Sequence, residues 1–335
     1  MAFWKKKDGD GGGAKRVRLF YATDIHGSER TYRKFINAAR FYKVDHVVMG
    51  GDIMGKFLIP IVDEGGGRYR VTLQEELTHL EGEQALAELK GRIETLGFYH
   101  VVVSEDELLV MQSDQKNIDG AFRREAHARL ERWIAFADER LDGTGVKCYV
   151  TGGNDDPQDL LDLLDAAQSE HVVNCEEKVV ILEDQYPMAN CGYSNPTPWH
   201  TPRETDEETL EQLLEKSVVG IDDFTSAIFN MHVPPYDSTL DDCPKLDWST
   251  DPPTPVVIAG VPQSAPAGST AVRKIVEKYQ PLVLLTGHIH ESRGLVKVGR
   301  TTVINPGSEY GEGILRGCIF TLEPGKVVGY QMTSG

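Results

Sequence analysis

Residues 17–27 read VRLFYATDIHG, and this stretch gives the strongest indication of the fold class. Its first seven residues are apolar and β-branched enough for a buried strand, and two polar side chains, Asp24 and His26, follow it. Residues 29–43 have the composition of a helix, and His46–Met49 is a second short strand. This strand-helix-strand order predicts the beginning of an α/β fold built in layers.

The same layout recurs at four more places. In each, an apolar strand ends and a carboxylate, amide or imidazole follows: Asp52 after residues 46–49, Asn154 after 147–150, His232 after 227–230, and His288 and His290 after 282–285. Ligands of open α/β sheets bind beyond the carboxyl ends of the strands. Five strand ends that carry such side chains therefore predict a single site at one rim.

These side chains are of the types that hold divalent transition metals. Carboxylates and imidazoles bind Mn, Fe, Co and Zn ions, and mixed nitrogen and oxygen sites select them over Ca and Mg. No cysteine lies in the motifs, which argues against a structural zinc finger. Each motif alone also has an ordinary interpretation, such as a turn with a surface histidine at residues 24–26, turn residues at Asp52 and Asn154, or a core histidine at His232. Their joint occurrence at strand ends favours the metal site.

The chain resembles the calcineurin-like metallophosphoesterase superfamily. The motif order of that family is D-x-H, G-D, G-N-x-x, H and G-H-x-H, and the matching residues are Asp24-Ile25-His26, Gly51-Asp52, Gly153-Asn154-Asp155-Asp156, His232 and Gly287-His288-Ile289-His290. The match spans roughly residues 17 to 332, and residues 305–308, NPGS, resemble the family's later portion. The resemblance implies an α/β fold of four layers, a double β-sandwich flanked by helices.

The resemblance also implies two divalent metal ions, chosen from Mn, Fe, Ni, Co or Zn, with Mn as the first choice. In the implied arrangement, Asp52 bridges the two metals. One metal is also bound by Asp24, His26 and His290. The other metal is also bound by Asn154, His232 and His288. A hydroxide between the metals would attack phosphorus in line with the leaving oxygen. Asp52 and Asn154 are therefore expected to be catalytic as well as metal-binding.

One position departs from the family pattern. Many members carry a histidine directly after the Gly-Asn pair, where it can protonate the leaving group, and this chain has Asp155 there. A carboxylate beside two cations should have a lowered pKa and be a poor acid near neutral pH. His200, in the stretch 193–202, is the candidate for another donor, although an exposed loop histidine is the ordinary interpretation. The remaining explanations are a leaving group that needs little help, or lost activity.

A segment from about residue 60 to 130 interrupts the strand pattern. Residues 74–97 and 119–141 look helical, with a small strand at 99–103 between them. The segment predicts a mostly helical cap inserted into a domain that spans residues 17–335. The alternative is a set of extra helices that belong to the main core.

Composition limits the partners and the location. The formal charge of −17 argues against general nucleic-acid binding, because phosphate backbones attract basic surfaces. Five scattered cysteines fit free thiols in a reducing compartment, so we expect a cytoplasmic protein. No apolar run approaches the length of a membrane span, and no membrane partner is expected. Residues 1–16 are interpreted as a flexible tail, and residues 233–268 as a long loop that is functional or mobile.

The predicted function is metal-dependent hydrolysis of a small phosphate ester, with nucleotides among the candidate substrates. Phosphodiesters are slightly favoured, because a leaving group of lower pKa tolerates a missing acid better. A phosphoprotein or small-molecule monoester phosphatase is the enzymatic alternative. A non-catalytic metal-binding scaffold is the alternative from another class, but scaffolds commonly lose ligands and all seven ligand positions here carry the expected residue types.

Overall fold

Two six-stranded sheets organise the part of the chain that the computed structural model describes, residues 16–247, 249–250 and 253–335. Strands and helices are numbered in chain order. The seven α-helices among the described residues are α1 (Glu29–Tyr42), α2 (Glu83–Thr95), α3 (Glu105–Gln112), α4 (Gln115–Leu141), α5 (Gln158–Ala166), α6 (Glu207–Ser217) and α7 (Thr270–Tyr279). The chain has an α/β fold, as the sequence predicts.

The first sheet contains the strand that opens the sequence argument. Its spatial order is β22 (Lys326–Ser334), β21 (Arg316–Glu323), β1 (Val17–Ala22), β2 (His46–Met49), β7 (Lys147–Val150) and β8 (Val172–Asn174). Strands β1, β2, β7 and β8 are parallel neighbours, so their carboxyl ends meet at one edge. Strand β21 pairs antiparallel with β1, and β22 pairs antiparallel with β21.

The second sheet repeats this plan. Its spatial order is β19 (Gly294–Val298), β20 (Thr301–Asn305), β18 (Val283–Leu285), β11 (Ile228–Met231), β10 (Tyr186–Cys191) and β9 (Val179–Leu182). The four inner strands are parallel, and β9 and β19 run antiparallel at the two edges. Buried central strands of this kind read as continuous apolar runs, which is why the sequence predicts β11 and β18 within one residue.

Apolar side chains fill the spaces around the two sheets. One buried cluster combines residues of both sheets, among them Leu19 and Val48 from the first and Met188 and Val283 from the second. A second cluster packs α1, α4 and α5 on the first sheet, and a third packs α6 and α7 on the second. The two sheets also share a buried polar link, in which the Asn230 amide donates to the Thr151 hydroxyl at 2.8 Å. This link lies next to the strand ends that carry the predicted site.

The segment predicted to be a mostly helical cap contains a third sheet. Its spatial order is β5 (Glu76–Glu81), β4 (Arg68–Leu73), β3 (Leu58–Gly65) and β6 (Tyr99–Val103). A helix over residues 74–97 is wrong at its start, because residues 76–81 pair with β4 and α2 begins only at Glu83. The sheet and α2 share an apolar cluster that includes Ile61, Tyr69 and Ile93. Tertiary pairing overrides the helical propensity of a Glu- and Leu-rich stretch.

Short antiparallel pairs occupy most of the region predicted to be a loop at residues 233–268. They are β12 (Asp242–Pro244) with β17 (Ser264–Pro266), β13 (Leu246–Asp247) with β14 (Thr254–Pro255), and β15 (Val257–Ile258) with β16 (Val261–Pro262). The pair of β12 and β17 encloses the other two pairs, which follow each other in sequence, and we call the described residues from β12 to β17 the arm. Pairs of two or three residues leave no period that sequence analysis could detect.

Two smaller predictions, on the cysteines and on membrane spans, can be compared with the structure, and a third cannot. All five cysteines are free, and four of them are buried. Among the described helices, none combines the length and apolar character needed to cross a membrane. The prediction of a flexible tail over residues 1–16 falls, apart from Arg16, outside the described residues.

Candidate metal centre

The carboxyl ends of five parallel strands carry the seven predicted ligands to one rim. The order is Asp24 and His26 after β1, Asp52 after β2, Asn154 after β7, His232 after β11, and His288 and His290 after β18. The first five of these residues are buried, and the two histidines after β18 are partly exposed. A site with this burial opens to solvent on the side of β18.

Four of these residues have strained backbones. Asp24, His26, Asp52 and His288 have φ angles of 53°, 38°, 50° and 66°, in the left-handed region. Such a conformation costs a residue other than glycine on the order of 1–3 kcal/mol and persists mainly where the surrounding structure holds it. The turns after these strands are therefore shaped to place side chains at the rim.

Asp24, His26 and His290 form one group. Their ligand atoms all lie within 4.8 Å of one another. His26 Nε2 is 3.1 Å from His290 Nε2, and Asp24 Oδ1 is 3.4 Å from the same His290 atom. The ring of Tyr310 covers His26, with the two centroids 4.7 Å apart. The group has the same members as one metal set implied by the family resemblance.

Asp52, His232 and His288 form a second group with the same spacing. Asn154 belongs with it, because Asn154 Oδ1 lies 3.0 Å from His232 Nε2 and 2.8 Å from His288 Nδ1. Four oxygen or nitrogen ligand atoms therefore face one small volume. The members again match the second implied metal set.

Asp52 lies between the two groups. Its Oδ2 atom is 3.4 Å from His232 Nε2 and 3.5 Å from His26 Nε2. Its Oδ1 atom accepts a hydrogen bond from the backbone N–H of Asp155 at 3.0 Å. One carboxylate thus faces a histidine of each group.

The electrostatics of the site follow from burial and proximity. Burial alone would raise the pKa of Asp24 and Asp52, but the neighbouring imidazoles lower both, that of Asp24 to about 2. Burial also disfavours a charged His232, but the negative charge of Asp52 raises the pKa of His232 to about 10. Burial lowers the pKa of His26 to about 3 and that of His288 to about 4. In the chain alone the two carboxylates are therefore ionised, His26 and His288 are neutral, and His232 carries a positive charge.

Two glycines let the turns approach each other this closely. A Cβ atom at Gly153 would overlap the Asp52 carboxylate, and one at Gly287 would overlap the Asp24 carboxylate. Any side chain at either position would push a predicted ligand out of place.

Asp156 is a residue that the sequence analysis left without a role. Its buried carboxylate accepts hydrogen bonds from the backbone N–H groups of Met54 and Gly153 at 2.8 Å and of Ile53 at 3.0 Å. It therefore clamps the turn after β2 to the turn after β7, which carry Asp52 and Asn154. The only sequence signal was a second acidic residue directly after Asp155.

Two further contacts orient ligand side chains. The Asn154 amide donates to the Thr201 hydroxyl at 2.8 Å, and that hydroxyl donates to Glu204 at 2.6 Å. His232 Nδ1 is 2.9 Å from the carbonyl oxygen of Gly50, so it carries the proton and Nε2 faces the site. Long-range partners of this kind have no sequence motif.

The turn that holds His288 and His290 is fixed by the NPGS stretch singled out in the sequence. The Asn305 amide donates to the carbonyl oxygen of Ile289 at 2.8 Å and to that of Gly287 at 3.1 Å. Ser308 donates to the carbonyl oxygen of Asp24 at 2.6 Å. These bonds join the turn after β18 to the turn after β1.

Asp155 has a partner that the sequence did not predict. Its Oδ2 atom is 2.8 Å from Lys56 Nζ and 3.5 Å from His26 Nδ1. Burial and the negative charge of Asp52 raise the pKa of Asp155 in the chain alone, and Lys56 opposes this. The lowered pKa of Asp155 that the sequence predicts applies to a site with two bound cations. In the chain alone, the Lys56 ammonium is the positive charge next to this carboxylate.

His200 lies apart from these groups. It is exposed, has a φ of 52°, and forms no hydrogen bond or ion pair with another described residue. Its neighbour Thr201 is the hydroxyl that orients Asn154, so the His200 backbone lies at the edge of the site. Proton donation by His200 stays a prediction.

The donor set fits divalent metal ions of the Mn, Fe, Co, Ni and Zn group. Two carboxylates, four imidazoles and one amide oxygen converge, which is the mixture that such ions prefer. His26 Nδ1 is buried and has no hydrogen-bond partner among the described residues, while His26 Nε2 faces another imidazole nitrogen. A cation near His26 Nε2 and His290 Nε2 would satisfy the lone pairs of two nitrogens that otherwise face each other.

No protein-family model matches the chain. One curated relative, an uncharacterized protein of Methanocaldococcus jannaschii, MJ1162, is 29% identical over 156 residues, which are 46% of this chain. The match spans 61% of that protein's length.

Comparison with solved structures gives likenesses along almost the whole chain. One solved structure has a TM-score of 0.54 and 16% identity, covering 96% of this chain and 99% of the other. Protein TT1561 of Thermus thermophilus has a TM-score of 0.49 and 14% identity, with 96% and 99% covered. A novel archaeal phosphodiesterase has a TM-score of 0.36 and 12% identity, with 95% and 100% covered. At these identities the first likeness shows a shared fold only, and the two lower scores support no inference about function.

Proposed function

We propose that this chain is a calcineurin-like metallophosphoesterase that hydrolyses phosphate esters with two divalent metal ions. The position of Asp52 carries the proposal, because one carboxylate oxygen faces His26 of the first group and His232 of the second. The buried cluster that combines residues of both large sheets supports the double β-sandwich that this superfamily implies.

The proposed ligands follow the two groups. Asp24, His26 and His290 would hold one ion, Asn154, His232 and His288 the other, and Asp52 both. When bound, such a pair supplies a nucleophilic water at neutral pH and offsets the negative charge of the phosphate. Manganese is our first choice of metal.

The chain's own residues prepare this site in three ways. The Gly50 carbonyl binds Nδ1 of His232, so that Nε2 is the nitrogen that a metal ion would take in place of a proton. The Thr201 hydroxyl holds the Asn154 amide with its oxygen toward His232. Asp156 locks the two turns together, so a substrate meets groups that are already in place.

The proposed substrate is a small phosphate ester, with diesters favoured because Asp155 occupies the position of an acid. A nucleotide is a good candidate, since Trp199 is 74% exposed in the loop that contacts Asn154 through Thr201. An exposed indole can stack on a base. A monoester is the second candidate, and the Lys56 ammonium favours it because a monoester carries an additional negative charge.

We further propose that the segment at residues 60–130 and the arm within residues 233–268 select the substrate, and that the protein works in the cytoplasm. The five free cysteines support that location. The segment reaches the rim at Gly97, where an added Cβ would overlap the carbonyl oxygen of His26.

The test combines metal analysis with activity. We expect two dications per chain under saturating Mn, and hydrolysis in a panel of diesters, monoesters and phosphopeptides with Mn, Mg, Ni, Fe and Zn. One ion or none would contradict the two-metal site. Two bound ions without hydrolysis of any ester would favour the non-catalytic scaffold instead.

A further inference from the structure

Lys56 and Asp155 form an ion pair at the opening of the candidate metal centre. The distance from Lys56 Nζ to Asp155 Oδ2 is 2.8 Å, and the side chains are 42% and 12% exposed. The Asp155 side chain is therefore mostly covered, while the Lys56 side chain is exposed in part. An ammonium group has three N–H donors, so Lys56 can bind Asp155 and still offer donors to a ligand in the opening.

Asp155 is held directly against the centre. Its backbone N–H donates to Asp52 Oδ1 at 3.0 Å, and its Oδ2 is 3.5 Å from His26 Nδ1. Whatever binds Asp155 Oδ2 is consequently fixed relative to Asp52, the residue shared by the two groups. Lys56 occupies that place.

The backbone that carries Lys56 is fixed on both sides. The N–H groups of Ile53 and Met54 donate to Asp156, and the N–H of Gly55 donates to the Tyr99 hydroxyl at 3.0 Å. On the other side, the carbonyl oxygen of Phe57 accepts from the backbone N–H of Tyr99 at 2.8 Å. Only the side chain of Lys56 remains to be positioned, and Asp155 does this.

We propose that Lys56, positioned by Asp155, donates a charge-assisted hydrogen bond to the leaving oxygen of the phosphate ester. The inference rests on the proposed function. Asp155 stands where related chains have a proton donor, and an ionised carboxylate cannot donate. Here the carboxylate binds a donor instead, so the position keeps a donor through a second residue.

The bond changes balance as follows. Water adds to phosphorus, the bond from phosphorus to the leaving oxygen breaks, and its electron pair remains on that oxygen. The Lys56 ammonium lies beside the developing negative charge and stabilises it more than it stabilises the intact ester. The attacking water loses one proton to solvent as it adds, and the leaving oxygen takes up one proton from solvent, so the two transfers balance.

Leaving-group dependence gives the first test. Lys56→Met should slow hydrolysis of an alkyl ester by at least about tenfold, the effect of a lost hydrogen bond to a charged group. It should slow an aryl ester less, because an aryl oxygen stabilises its own charge. Lys56→Arg should restore part of the alkyl rate, since the guanidinium keeps the charge and the donors. Lys116→Ala, which removes an exposed lysine of α4, is the control.

Phosphate binding gives a readout that does not depend on turnover. We expect calorimetry with inorganic phosphate to show weaker binding by the Mn-loaded Lys56→Met variant, by roughly tenfold, with an unchanged metal content. Asp155→Asn should weaken binding less, because Lys56 keeps its charge and loses only its position.

The outcomes separate the two proposals. A wild-type enzyme that hydrolyses esters, together with Lys56→Met that matches it on both esters and on phosphate, overturns the role of Lys56 alone. A selective loss on the alkyl ester in His200→Ala, and none in Lys56→Met, assigns the donor to His200 and also overturns it. Wild-type protein that neither hydrolyses any ester nor binds phosphate with metal overturns the proposed function together with this inference.

Discussion

At the rim of the two large sheets, carboxylates and imidazoles are buried, and four of their backbones are strained. In the sheet formed by β3–β6, the buried side chains are apolar, while the charged ones are exposed or partly exposed. The rim loses stability by bringing like groups together, whereas the small sheet gains stability from ordinary apolar packing. The rim therefore combines left-handed backbone with buried charge, which is typical of functional sites, whereas in the small sheet the left-handed residues Gln74 and Glu75 lie at the exposed turn between β4 and β5.

Among the substitutions that test the difference between the rim and the small sheet, we expect the largest effect on turnover at Asp52. Asp52→Asn removes the carboxylate charge shared by the two groups, and metal ions supply several kcal/mol of charge stabilisation to phosphoryl transfer. Turnover should fall by about 10³-fold or more, while far-UV circular dichroism stays unchanged. Asp106→Asn on α3 is the exposed control. Full activity in Asp52→Asn, with metal retained, would refute the assignment.

The second effect concerns the orientation of a ligand. Thr201→Val removes the hydroxyl that accepts from the Asn154 amide, and losing such an outer partner costs about 10–100-fold in metal affinity or activity. Metal titration followed by calorimetry should show this loss at one of two sites. Thr197→Val is a matched control, because Thr197 also bonds to Glu204 but does not contact Asn154. Equal losses in the two variants would mean that the loop as a whole, and not the Asn154 contact, matters.

A contact that joins the two regions should have a smaller effect. Arg129 of α4 donates to the carbonyl oxygen of Gly27, directly after His26, at 2.7 Å, and its guanidinium lies 4.6 Å from the ring centroid of Tyr99 in β6. Arg129→Met should lower stability by about 1.5–3 kcal/mol and turnover by less than about tenfold. Arg132→Met is the control, since Arg132 also lies near Glu94 but is more exposed. Urea unfolding and initial rates measure both quantities, and a change only in Arg132→Met would contradict the coupling.

The smallest effect on turnover is expected within the small sheet. Ile61→Ala empties part of its buried cluster and should cost about 2–5 kcal/mol of unfolding free energy. Turnover per folded molecule should stay at the wild-type value, since no candidate ligand contacts Ile61. Leu77→Ala, at an exposed position of β5, should change neither quantity. A large loss of turnover in folded Ile61→Ala protein would break the contrast between the two regions.

The two regions also differed in how well the sequence predicted them. His46–Met49 and Lys147–Val150 were predicted to the residue, because short fully buried strands are continuous apolar runs. For residues 76–81 the sequence predicts helix, because Glu and Leu suit a helix and the pairing with β4 is not encoded locally. The sequence does not predict the pairs of the arm for a similar reason, since strands of two or three residues carry no pattern.

The residues that could bind a metal ion at this rim can be recognised from the sequence alone. A carboxylate, amide or imidazole directly after a buried strand is a local signal, and Asp24, Asp52 and His288 could be recognised from it. Strand ends carry this information because the direction of a parallel strand fixes where its next residue lies.

The ion-pair and hydrogen-bond partners around the site, in contrast, are visible only in the tertiary structure. Lys56 meets Asp155 across 99 positions of sequence, as the two residue numbers give, and Asp156 meets Met54 across 102. Such pairs form because parallel strands distant in sequence lie side by side, and no local pattern records their distance. The same physics leaves His200, one residue from a site contact, exposed at the surface.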